Sequence, residues 1–460
     1  MKLSSLILIL LLPAVAYSQS NDYNLDSYVN PDYKRKELDF ILRTSSELSS
    51  IKSKGKMSGI ETFNNDSKNN NISGDIGTHF YQIANSIKKQ TSTNLILNFK
   101  GDYLSKSSDY TNDIGSSSNS KNKIFVFNLN YNQESYYYVK DKKFIEFSPS
   151  AYFNYNSDVD EYDNQTSTNY KSTSTNLLFK LGVGKGRIEQ VEDAYLAMYV
   201  LYDLKKNGSL NQTLNPDEIN MLAQQITSIK NKRRFDSRIK LIEEISTIDS
   251  FFTANGYTDA KTAPYFTSLY DNWMYAGLFK RAAGSRISFG VSPGYWWANN
   301  KLKNEPVSSS YSDFNNYNSE INASVYASYR YEKPVNLFLQ HSILADVRGE
   351  WLKTRGEKNN IGPRFHGEYA LGYYPNTRTH VRSSILLNYL SRYNDDVTYS
   401  YLQSGILIDL YYYLSPQLRI NANGAFYLTY NNIKNKIQNQ TNTNRNPHCF
   451  FNFGLQYSIF

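Results

Sequence analysis

The chain has 460 residues with 41 Tyr, 23 Gly, a single Cys and a formal charge of +8. One Cys excludes a disulfide-stapled scaffold, and so little Gly excludes collagen. No apolar run of about 18 residues follows the N-terminus, so a helical membrane protein is excluded; a secreted all-β protein or an outer-membrane β-barrel is left.

Residues 1–18 read as a cleavable signal peptide. Met1-Lys2 is a short basic start, Leu6 to Leu12 is an unbroken Leu/Ile core, and Pro13 ends it. Cleavage fits after Ala16 or after Ser18. Export removes most of the case that a basic chain binds nucleic acid, and the acidic residues interspersed with Lys and Arg read as ordinary solvation. No nucleic-acid partner is expected.

From there the chain has period two. In Phe144 to Tyr155, Ile145, Phe147, Ala151 and Phe153 share one face, and Glu146, Ser148, Tyr152 and Asn154 the other. Strict alternation is the mark of a strand with one apolar and one polar face. Fourteen segments follow this rule: 38–51, 74–88, 92–106, 122–137, 143–156 and 172–186, then 284–300, 316–332, 335–352, 362–374, 378–394, 397–413, 417–432 and 447–460. Connections near Gln90, Asp141, Pro334, Asn376 and Pro416 are short. Those at 52–73, 107–121, 157–171, 301–315 and 433–446 are long and rich in Asn, Ser, Asp and Lys, although 395–396 is short. Short turns at one end and long loops at the other are the barrel pattern. Tyr136-Tyr137-Tyr138, Tyr373-Tyr374 and Tyr411-Tyr412-Tyr413 stand before short turns, as a periplasmic aromatic girdle would, and Trp296-Trp297 stands where an outer girdle would.

Residues 187–283 break the pattern. Ile188 to Lys206 has helical spacing and ends at Asn207-Gly208. Asn215-Pro216-Asp217-Glu218 offers an N-cap, a Pro in the first turn and an acidic third position, with a helix to Lys230. Phe235 to Phe252 steps by three and four and ends near Gly256; Thr258 to Arg281 holds a fourth helix. The chain thus divides into a signal peptide (1–18), a first half-barrel (19–186), a helical insertion (187–283) and a second half-barrel (284–460). Six strands precede the insertion, and an even number places it on the short-turn, periplasmic side, in the periplasm or folded into the barrel mouth. Its basic run includes Lys230, Lys232, Arg233, Arg234 and Arg238, a solvated face or a contact for anionic headgroups or a periplasmic protein partner.

The chain ends Asn452-Phe453-Gly454-Leu455-Gln456-Tyr457-Ser458-Ile459-Phe460. This resembles the terminal signal of porin-like Gram-negative outer-membrane β-barrels. The resemblance implies an all-β transmembrane up-and-down barrel of about 14 strands, seated in outer-membrane lipid. It also implies recognition by the barrel assembly machinery through Phe460, supported by Gly454, Tyr457 and Ile459.

Alternation turns Lys100, Lys180, Arg286, Arg330, Arg348, Arg364, Arg382 and Arg419 inward, with Asp102, Glu146, Asp346, Glu350, Glu368 and Asp409. Eight cations against six anions predict a weak anion preference, or pairs that brace the wall. The five His are scattered without metal-ligand spacing, and alternation puts Cys449 on the lipid face. His366 with Glu368, near His380, is the one loose grouping an enzyme could use, and polar lining explains it as well. No enzyme activity, metal or cofactor is expected. The leading expectation is porin-like passage of small polar solutes. The alternative is a non-conducting barrel whose helical domain plugs the lumen or docks a periplasmic partner in envelope or polysaccharide assembly.

Overall fold

In a computed structural model of the protein, each period-two segment is a strand. The structure describes residues 23–25, 28–57, 60–111, 116–162, 166–232, 240–258, 261–275, 280–305, 313–415 and 418–457. The expected signal peptide lies outside these residues, as do Arg233, Arg234, Arg238, Ile459 and Phe460.

Six strands come first: β1 (Tyr33–Met57), β2 (Ile60–Asn85), β3 (Lys89–Thr111), β4 (Ser116–Tyr138), β5 (Lys143–Tyr162) and β6 (Thr166–Gln190). Four helices follow: α1 (Glu192–Lys206), α2 (Pro216–Asn231), α3 (Leu241–Ala254) and α4 (Ala263–Tyr275). Then come β7 (Ala282–Glu305), β8 (Phe314–Pro334), β9 (Leu339–Thr354), β10 (Asn360–Asn376), β11 (Thr379–Tyr393), β12 (Val397–Tyr413), β13 (Leu418–Asn435) and β14 (Gln440–Tyr457). Every strand pairs antiparallel with the next in one 14-stranded meander. Among the described residues no ladder joins β14 to β1.

The sheet curls. Glu146 on β5 accepts a 2.9 Å hydrogen bond from Tyr326 on β8, and Lys180 on β6 lies 3.9 Å from Asp346 on β9. Strands three apart in a flat sheet are about 14 Å distant, so such side chains meet only on a concave face. The opposite face carries exposed apolar side chains along the ladders, such as Phe99, Val291, Val325, Val347, Ile385 and Phe426. An up-and-down β-barrel with an apolar exterior and a polar interior follows from the alternation.

The described residues of the long polar loops expected at 52–73, 107–121, 157–171, 301–315 and 433–446 are largely strand. β1 ends at Met57 and β2 begins at Ile60, and their ladder runs through Asn64–Asn71. Asn and Ser have low strand propensity, but once a hairpin is in register each added pair completes backbone hydrogen bonds, and context overrides propensity. β1 has 25 residues and β2 26, where about 9–11 suffice to cross a bilayer. The first half of the barrel therefore stands well beyond any membrane as a polar wall.

α1 begins four residues later than its sequence pattern and ends with it at Lys206, and α4 begins at Ala263 rather than at Thr258. Residues 188–190 belong to β6, where Ile188 pairs with Gly284 and Gln190 with Ala282. α2 starts as its sequence predicts. The Asn215 side chain accepts from the Glu218 N–H at 3.0 Å, and Glu218 accepts from the Asn215 N–H at 2.7 Å. None of the described helices is long and apolar enough to cross a membrane.

Candidate functional site: a polar lumen and the helical bundle across its mouth

The bundle has its own core. Val191, Leu196, Leu204, Leu222, Ile226 and Phe252 are buried in it. Polar contacts fix the helices to one another. Asn272 on α4 donates to Asp203 on α1 at 2.7 Å, and Trp273 donates to Glu244 on α3 at 2.8 Å. An N-terminal strap, which the sequence patterns did not flag, packs on the same core. Tyr23 and Tyr28 are buried there, and the Tyr23 hydroxyl donates to Asn220 on α2 at 2.6 Å.

A charge cluster ties the strap, β1, α1 and α2 together. Arg35, near the start of β1, pairs with Glu192 at 2.8 Å and with Asp193. Lys230 on α2 pairs with Asp193 at 2.8 Å, and Thr227 donates to the same carboxylate at 2.6 Å. Burial pushes the Asp193 carboxyl up, but Lys230 and Arg35 outweigh it and hold the group down at about 2. Glu192 is pushed up, by burial first and then by the neighbouring Asp193. Lys230, read in the sequence as part of a solvated basic run, is 8% exposed and ion-paired. Lys232, beyond the end of α2, is exposed.

The bundle meets the barrel at the ends carrying the short turns. It does so at several places around the ring. Arg35 holds it at β1. Arg187, at the end of β6, donates to Ser86 O at 2.9 Å and Ile87 O at 3.1 Å in the β2–β3 turn. The Tyr199 hydroxyl lies 2.9 Å from Tyr374 O and 3.2 Å from Leu337 O, and burial keeps it protonated as a donor. Arg378, in the β10–β11 turn, pairs with Asp271 of α4, and Tyr275 packs edge-on to Tyr413 of β12. Contacts of the bundle to β1, β8–β9, β10–β11 and β12, with the covalent links to β6 and β7 and the Arg187 brace from β6 to the β2–β3 turn, put the bundle across the opening. In the seam between bundle and turns lies a cleft of about 210 Å³, lined by Tyr202, Asp203, Phe338 and Arg378 among others.

Arg281 is the tightest anchor. It is 2% exposed, and its guanidinium lies between the rings of Tyr195 (3.1 Å to the centroid) and Tyr374 (4.1 Å). It donates to Leu337 O at 2.6 Å and to Gln340 at 3.1 Å. By its sequence pattern it is only the end of the fourth helix.

The tyrosine clusters are not a simple girdle. Period two splits each of them. Tyr137 and Tyr412 face outward with 39% exposure, whereas Tyr136, Tyr374 and Tyr413 face inward and are buried. The inward members hold cations: Tyr138 lies under Arg187, Tyr136 under Arg286 and Tyr374 under Arg281. Likewise Trp297 faces outward against Tyr317, while Trp296 faces inward, in register with Asn176 and Glu320.

The inward charges lie on the concave face and pair with one another. Lys100 bonds Asp102 at 2.7 Å; Asp346 takes both Arg348 at 2.5 Å and Lys180 at 3.9 Å. Glu350 takes Arg364 at 3.5 Å and Arg392 at 3.7 Å. Glu368 takes Arg382 at 2.7 Å, and Asp409 stands opposite Arg382 in the β11–β12 ladder. Arg330 bonds Glu332 at 3.0 Å, and Arg419 bonds the Tyr413 hydroxyl at 3.1 Å. His366 is bonded to Asn388, and His380 is stacked on Tyr374, so the loose His366–Glu368–His380 grouping is drawn to three separate partners.

At the C-terminus, Gly454 pairs with Asn421 and Tyr457 with Leu418 in the last ladder, and Phe451, Phe453 and Leu455 are exposed on the outer face. Cys449 is exposed on that same face, opposite Phe426.

No family model matches the chain, and no curated protein matches it. Among solved structures it is similar to the translocator domain of the autotransporter NalP from Neisseria meningitidis, at 7% identity and a TM-score of 0.29 over 89% of this chain and 95% of that one. It is similar to the transport unit of the autotransporter AIDA-I from Escherichia coli, at 8% identity and a TM-score of 0.24 over 89% and 98%. A third likeness is to the CymD monoaromatic hydrocarbon channel, at 10% identity and a TM-score of 0.21 over 94% and 89%. At such scores these likenesses carry no argument, and the barrel class stands on this chain's own ladders and faces.

Proposed function

We propose that the protein is an outer-membrane conduit for small polar solutes whose periplasmic mouth is closed by its own helical bundle. One observation carries the reading: an apolar exterior encloses a polar, ion-paired interior, and the bundle is pinned across one end of it. A barrel that only filled its place in the membrane would need neither a polar interior of this size nor a cap. With the inward carboxylates from Asp102 to Asp409 named above each beside a cation or a hydroxyl, and Asp158 and Asp160 held by the Asn122 amide, the field in the lumen is weak, and the expected selectivity between K⁺ and Cl⁻ is close to one. That revises the weak anion preference that residue counting suggests.

Single-channel recording of the refolded full chain in a planar bilayer tests this. The wild type should be mostly closed with rare openings, and loosening the bundle should raise the open fraction. Silence from folded wild type and from every loosened variant would remove the conduit. A docking barrel would then remain, favoured by the exposed Met221, Ile242, Phe266 and Tyr270 on the bundle.

A further inference from the structure

The inner wall is divided. Beside Lys100–Asp102 on β3 and Arg330–Glu332 on β8, its ion pairs lie on β9–β11, with Lys180 reaching Asp346 from β6. The upper part of β4–β8, away from the bundle, has another chemistry. There the ladders align inward residues in rows across adjacent strands. One row is Asn130, Tyr152, Asn176 and Trp296; the next is Asn128, Asn154, Ser174 and Ala298; the third holds Asn156, Ser172, Asn300 and Asn316. No Lys, Arg, Asp or Glu stands in these positions, and Glu320 closes the first row on β8.

The amides hold one another in place. Asn128 accepts from Asn154 at 2.6 Å and from the Tyr152 hydroxyl at 3.3 Å. Asn300 accepts from Ser172 at 2.7 Å and from Tyr170 at 3.1 Å. The amide oxygen of Asn156 is enclosed with no hydrogen-bond partner among the described residues. A buried acceptor in that condition favours a ligand that brings a donor.

We propose that this wall binds uncharged carbohydrate, making neutral oligosaccharides the solute class of the conduit; the inference rests on the conduit reading. A sugar hydroxyl is donor and acceptor at once, and a side-chain amide offers the complementary pair. The C–H face of a pyranose is apolar and packs on an aromatic ring. Tyr152, 40% exposed, and Trp296 stand two strands apart in one row, about 10 Å at ordinary strand spacing. An anion gains little on this wall, because the charges around it, Glu320 and, just above the third row, Asp158 and Asp160, are of its own sign and cannot replace its lost water. The same rows suit a solute that must be held weakly at several successive points and released, as passage requires.

The wall opens away from the bundle, so binding does not require an open mouth. Calorimetric titration of the refolded full chain with maltohexaose, cellohexaose and an acidic oligogalacturonate is the test. At least one neutral oligosaccharide should bind saturably, and the acidic one should bind more weakly than it. Trp296→Ala and Tyr152→Ala should each weaken the binding about tenfold, with folding of each variant checked by its heat-shifted migration on gels. Trp296→Phe, which keeps a ring, should retain most of the affinity. Failure of both neutral probes to bind overturns the inference, as does tighter binding of the acidic one or indifference to both alanine variants. Binding without conductance would sink the conduit and leave the carbohydrate wall standing; conductance without binding would do the reverse.

Discussion

Arg281 illustrates how one residue can hold two folding units together. Its charge is enclosed by two rings and by backbone carbonyls of the β8–β9 turn. A guanidinium suits this place because it is flat enough to stack and donates in several directions at once. Arg281→Ala leaves those carbonyls unsatisfied and should weaken the docking of the bundle by about 3 kcal/mol. The expected readout is a higher open fraction in single-channel records, with Arg281→Lys failing to restore closure. Asp193 gives the acid response. Its folded-state value is depressed to about 2, so its stabilisation is fully present above the ordinary carboxylate range and is lost as pH falls through about 4 towards 2. Glu192 is shifted up and acts in the opposite sense: its contribution is lost as pH rises through its raised value. The bundle should become sensitive to pepsin across that acid window. Asp193→Asn should abolish the acid step. At neutral pH it should cost about 3–5 kcal/mol, because Lys230 and Arg35 would face a neutral amide. Asp193 had no special mark in the sequence, since its partners lie 37 and 158 residues away.

Among the elements, the β6–β7 ribbon decides where the bundle sits. Gly186 and Gly284 lie near its end with φ of 106° and 112°, a backbone region that favours glycine. A Cβ on either would also strike a carbonyl of the partner strand, Ser285 O or Arg187 O. Just past Gly186, Arg187 reaches the β2–β3 turn, four strands from its own strand, so the ribbon leans over the mouth there. Gly284→Ala should cost about 1–3 kcal/mol and lower the temperature at which the refolded protein loses its compact gel migration. The elements themselves were largely legible. All fourteen strands coincide with alternating segments, and the capping box of α2 is written in four consecutive residues. The length of the strands was not legible, because Asn- and Ser-rich hairpin arms look like loops until a ladder supplies their hydrogen bonds. The tyrosine clusters were legible as strand ends. Which members face the bundle follows only from register.

At the scale of the molecule, the protein is a barrel with a lid gripped on several sides. Tethering the lid should override any loosening. With Cys449→Ser removing the native thiol, Cys at positions 271 and 378 replaces the Asp271–Arg378 contact at the seam. In the Arg281→Ala background, a short bifunctional thiol reagent with a reducible spacer should shut the conductance, and cleavage of the spacer should restore it. If the crosslinked protein conducts as freely as the cleaved one, solutes pass without movement of the bundle.

The sequence by itself determined what depends on neighbours along the chain. Period two divides an apolar face from a polar one, helical spacing and a capping box mark the insertion, and these hold whatever the strands later meet. Only the tertiary structure decided what depends on residues distant in sequence. It paired the inward charges across three strands, set arginines over Tyr136, Tyr138 and Tyr374, brought the Tyr23–Tyr28 strap onto α2 and laid the bundle across the mouth. The physical reason is that alternation fixes the face on which a side chain lies. Curvature and register choose its partner.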